Sequence, residues 1–173
     1  MVPTLLVSNR LDIPLRQRAK FEGWLKIELA AGLAEQGWRT RLEQPYTIAD
    51  GRHCRADVAV WPDVESDKLL IMLKTVNTNF RFDGVEPAAR PVTMNFDGLI
   101  DDIRKLSDLP PATTGYVLFP VFPVSGDEGE REAKLRSYLD RVTATGVTLD
   151  ANSYVARTAR WGIAWFLVRV NRL

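Results

Sequence analysis

Two charged residues stand in otherwise apolar, strand-like runs: Asp57 within Ala56-Asp57-Val58-Ala59-Val60, and Lys74 at the end of Leu69-Leu70-Ile71-Met72-Leu73-Lys74. Charge in such a setting is costly to desolvate. The pair therefore implies either a compensated ion pair or a site where a metal and a phosphate offset the cost. Metal-assisted phosphodiester hydrolysis needs carboxylates to hold Mg²⁺ and a lysine to orient water or steady developing negative charge. It also needs one more acid, commonly from a neighbouring helix. Asp57, Lys74 and Glu28 have the right types for catalysis, and Asp57, Glu28 and Glu22 for the metal. Each also has a plain structural reading: a sheet-edge ion pair for Asp57 and Lys74, and the polar flank of a packing helix for the glutamates.

The elements that must position these groups follow from the hydrophobic periodicity. Phe21, Leu25, Leu29, Gly32 and Leu33 recur at helical spacing in a helix over 15–36, opened by Asp12-Ile13-Pro14 and stopped by Gly37. At about 100° per residue Glu22 and Glu28 both border this stripe, and Glu28 is expected to approach Asp57 in preference to Glu22. Strands are expected over 38–43, 56–61, 69–76, 115–122 and 161–170, and helices over 97–107 and 128–143. Asp57 and Lys74 then fall on adjacent antiparallel strands, joined by a polar turn carrying Glu65, Ser66, Asp67 and Lys68. A Pro- and Gly-bearing loop fills 77–91. The expected fold is α/β: one domain over 1–173, a mixed central β-sheet flanked by helices on both faces. Trp161 and Trp165, four apart in the last strand, read as core.

With the helix Phe21-Glu22-Gly23-Trp24-Leu25-Lys26-Ile27-Glu28-Leu29, the strand Gly37 to Glu43, the Asp57 and Lys74 strands and the segment Leu99-Ile100-Asp101-Asp102-Ile103-Arg104-Lys105-Leu106 in place, the sequence resembles the PD-(D/E)xK, restriction-endonuclease-like superfamily. The last segment is similar to an Asp-x-x-Lys-Leu helix of several of its branches. The resemblance covers 15–122. It implies that Asp57 is the first metal-binding aspartate, that Lys74 is the catalytic lysine, and that Mg²⁺ is the cofactor. It also implies Asp or Glu two positions before the lysine, where this chain has Met72. A thioether does not replace a carboxylate for Mg²⁺. Either a carboxylate has migrated, with Glu28, Glu22 and Glu43 as candidates, or the fold has lost catalysis and kept binding. Met72→Glu is expected to raise activity if the rest of the site is intact.

Composition bounds the function. Lys plus Arg total 23 against 22 Asp plus Glu, so any nucleic-acid contact must be a local patch; Arg52 and Arg55 beside His53 are candidates, though a solvated loop explains them. One Cys, Cys54, and one His make neither a disulfide nor a zinc cage. No apolar run approaches a membrane span, so a cytoplasmic protein with no membrane partner is expected. The function expected is that of a nuclease-like protein acting on nucleic acid, catalytically degenerate or not. The alternatives are a non-enzymatic module on the same fold that binds nucleic acid or protein, and a small-molecule enzyme or structural subunit. No phosphate-cradling glycine loop or nucleophile elbow supports the last pair.

Overall fold

A computed structural model describes residues 21–62, 68–78, 92–122, 127–145, 157–158 and 163–171. Their order is α1 (Glu22–Glu35), β1 (Arg39–Thr47), β2 (His53–Trp61), β3 (Lys68–Leu73), β4 (Val76–Asn77), α2 (Val92–Ser107), β5 (Thr113–Phe122), α3 (Glu128–Thr143), β6 (Arg157–Thr158) and β7 (Ile163–Val170). The strands form one mixed sheet in the order β1-β2-β3-β5-β7-β6, with β4 also paired to β5. β1, β2 and β3 make an antiparallel meander, and β5 runs parallel to β3.

Each face of the sheet has its own core. Phe21, Leu25, Leu29, Ala30 and Leu33 of the α1 segment pack on Val58, Val60, Leu73, Leu118 and Trp165. On the other face Phe96, Leu99, Ile103 and Leu106 of α2, with Leu135 and Val142 of α3, pack on Leu70, Met72, Val117 and Phe119. The expected mixed sheet with helices on both faces is therefore present. β3 and β5 read as nearly continuous apolar runs because both their faces are covered. The crossover helix α2 lies close on β5: a Cβ at Gly115 would meet Leu106 Cβ at 2.9 Å. Gly37, at φ +84°, ends α1 as expected, with its N–H donating to the Ala34 carbonyl and Trp38 N–H to the Leu33 carbonyl, a Schellman closure.

Several expected boundaries move for identifiable reasons. The 69–76 run is two strands, because the Thr75 N–H leaves the ladder to donate to Glu22 Oε1 at 2.8 Å. β1 continues through Pro45 to Thr47; it is an edge strand, where a residue without an N–H is tolerated. α2 begins at Val92, ahead of the expected 97. The last strand is described over Ile163–Val170, the first two residues of its expected range lying outside the described residues, and Trp165 is buried as expected. The helix opening at Asp12, residues 15–20, the 63–67 turn, residues 79–91 and Trp161 lie outside the described residues. No helix among the described residues is long and apolar enough to cross a membrane.

Candidate functional site

Asp57 sits where the pleat of the β1–β2 hairpin breaks. Leu42 pairs with Val58 and Gln44 with Ala56, but Glu43 and Asp57 between them are out of the ladder. Residues two apart on a regular strand share a face, yet Ala56 joins the core under α2 and Val58 the core under α1. The cause is local: Glu43 has φ +51°, a left-handed conformation that costs a non-glycine residue about 1–2 kcal/mol. Strain of this kind persists only where the surroundings fix it, and here an ion cluster does. The Lys26 ammonium of α1 lies 3.0 Å from Asp57 Oδ1 and is hydrogen-bonded to Glu43. Asp57 Oδ2 accepts the Leu73 N–H at 2.8 Å, and Arg55 stands 3.8 Å from Glu43 at the exposed rim. Burial works against the charge on Lys26, but the bonds and charges of Glu43 and Asp57 outweigh it and hold its pKa above the ordinary lysine value. The Lys26 bond, opposed by slight burial, holds Glu43 below the ordinary glutamate range.

Glu22, one helical turn before Lys26, accepts from the N–H and, at 3.0 Å, the hydroxyl of Thr75. Of the two helix acids it is Glu22 that reaches the end of β3. Glu28 lies about 120° further round the helix and about 9 Å along it. The wheel explains the difference. With Phe21 at 0°, the buried Leu25, Leu29, Leu33 and Ala30 fall at about 40°, 80°, 120° and 180°, so the buried arc is centred close to Glu22 at about 100° and takes in Lys26 at about 140°.

Lys74 immediately follows the residue that binds Asp57, but its ammonium goes to the other face. It lies 3.5 Å from Asp102 Oδ2 of α2, whose Oδ1 is 2.9 Å from Lys105 Nζ. Asp102 is buried at 7% exposure, and its hydrogen bond and charge raise the Lys105 pKa against the opposing effect of burial. β2 and β3 are thus adjacent and antiparallel as expected, while Asp57 is paired towards α1 and Lys74 towards α2. Met72 is buried in the core under α2. Nearby, the Tyr46 hydroxyl is buried with no hydrogen-bond partner among the described residues. Burial first, then the adjoining Cys54 and the charges of Asp102 and Asp57, push its pKa well above the ordinary tyrosine value.

This donor set does not fit Mg²⁺. Asp57 and Glu43 share an ammonium, Glu22 is engaged by Thr75, and Met72 supplies no hard ligand. Among the described residues no group of three or more His, Cys, Asp or Glu side chains is placed to hold a metal. Sequence reasoning missed Lys26, Thr75 and Gly98, and took in Asp102 and Lys105 only as part of the Asp-x-x-Lys-Leu segment, without a role. Lys26 was legible as the residue four after Glu22, and Asp102 as a carboxylate inside the Leu99, Ile103, Leu106 stripe. The chain matches no described protein family, no curated protein and no solved structure.

Proposed function

We propose that this chain is a degenerate, restriction-endonuclease-like relative of metal-dependent phosphodiesterases that binds nucleic acid without cutting it. The observation that carries this reading is the Lys26 ammonium on Asp57 and Glu43. The Lys26 ammonium takes the place between the two carboxylates that a divalent ion would take and offsets one of their two charges, but it has no coordination position from which to activate water or polarise a phosphoryl oxygen. The order of the described elements supports the fold resemblance: a helix, a three-stranded antiparallel meander, a crossover helix and a strand parallel to the third, with Asp57 on the second strand and Lys74 just past the third.

The test is fluorescence anisotropy with labelled single- and double-stranded DNA and RNA, in EDTA and in Mg²⁺ or Mn²⁺, with cleavage followed on gels. Expected are binding that persists in EDTA, weakens with salt, and yields no cleavage. Divalent-dependent cleavage abolished by Asp57→Ala, or no binding to any of the four substrates, overturns the proposal.

A further inference from the structure

We infer that Lys74 and Lys105, held on the two oxygens of the buried Asp102, form a phosphate-binding point on the α2 face, away from Asp57, and that Gly98 is its positioning residue. The inference rests on the nucleic-acid reading for its ligand class, a backbone phosphodiester.

Two ammonium groups on one carboxylate leave one positive charge in excess. The neighbouring Asp101 does not cancel it, since it lies 3.5 Å from Arg104 at the surface. Asp102 keeps 10% of its side chain exposed, whereas Lys74 keeps 29% and Lys105 37%. The anchor is thus desolvated while the donors reach water. An ammonium has three N–H donors, so each lysine retains donors after bonding Asp102. Held by one rigid anchor, the two lose less freedom on meeting a phosphate than two unrestrained surface lysines.

Gly98 supplies the second observation. It lies mid-helix, where glycine costs roughly 0.5–1 kcal/mol relative to alanine. A Cβ there would stand 3.0 Å from Lys74 Cε and 3.3 Å from its Nζ. The missing methyl is the space the Lys74 side chain crosses to reach Asp102. The atoms in the way are the end of a flexible chain, so Gly98→Ala shifts the end of the lysine by a few tenths of an ångström and leaves the helix in place.

Gly98→Ala is therefore expected to raise thermal stability and weaken oligonucleotide binding, opposite signs that a purely structural glycine would not give. The experiment measures affinity against salt concentration for a labelled duplex with wild type, Gly98→Ala, Lys74→Met and Lys105→Met. It includes the neutral triple Lys74→Met, Asp102→Asn, Lys105→Met, which leaves no unpaired buried charge if either single lysine variant fails to fold. Each lysine removed is expected to reduce the slope of log K against log salt by about 0.9. Gly98→Ala, which keeps both ammonium groups, is expected to weaken binding less than Lys74→Met does and to leave the slope closer to that of wild type. Full binding and an unchanged slope in the folded triple variant overturn this site alone. A wild type that binds no oligonucleotide overturns the nucleic-acid reading and the site with it.

Discussion

Lys26 Nζ and Asp57 Oδ1 lie 3.0 Å apart across the boundary between α1 and the sheet, with Glu43 bonded to the same ammonium. The three side chains are 16%, 24% and 47% exposed, so solvent screens the pairing only in part. Lys26→Met leaves two carboxylates facing each other and is expected to destabilise the protein by about 1–2 kcal/mol. Millimolar Mg²⁺ or Ca²⁺ should return part of that loss in the variant and have little effect on wild type. Urea denaturation with and without the ion measures both. Wild-type stability in Lys26→Met would show that the cluster contributes nothing.

The same cluster sets a pH dependence. Glu43 is held low, so its contribution is present above the ordinary glutamate value of 4.5 and disappears as pH falls through the lowered value. Lys26 is held high, so its contribution is present below 10.5 and disappears as pH rises through the raised value. Thermal melts from pH 3 to pH 11 are expected to show both limbs, and Glu43→Gln to flatten the acid one. An acid limb identical in the variant would assign it to other carboxylates.

Met72→Glu is expected to fail as a restoration of catalysis. The residue is 7% exposed in the core under α2, whereas Asp57 is paired towards α1. A glutamate there is expected to cost roughly 3 kcal/mol through an unpaired buried charge. Cleavage by a folded Met72→Glu protein in Mg²⁺ would contradict this.

Tyr46→Phe removes a buried hydroxyl that makes no hydrogen bond among the described residues. Stability is expected to be unchanged or raised by about 1 kcal/mol, since the desolvation cost of the hydroxyl is removed without losing a bond. A loss above 1 kcal/mol would reveal a partner for the phenol.

What the sequence makes legible here is regular packing. The third helix is expected over 128–143 and observed at Glu128–Thr143, because its apolar spacing is local. The apolar content of β3 and β5 likewise points to central strands covered on both faces. The positions at which the site departs from expectation are those where one side chain overrules a period. Glu22 takes the Thr75 N–H and divides an eight-residue apolar run, and Glu43 turns left-handed and reverses the faces of its strand. The pairing of Lys74 with α2 depends on where residues far apart in sequence meet in space, which no spacing records.

The reversal at Glu43 and Asp57 has a mechanical meaning. Tyr46, Ile48 and Ala56 in the outer part of the β1–β2 hairpin belong to the layer under α2, while Val58, Val60 and Trp38 in its inner part belong to the layer under α1. One hairpin is thus a rivet through both layers. Neither layer can loosen without pulling on the strand that anchors the other, so amide hydrogens beneath α1 and beneath α2 are expected to exchange with deuterium in a single cooperative opening.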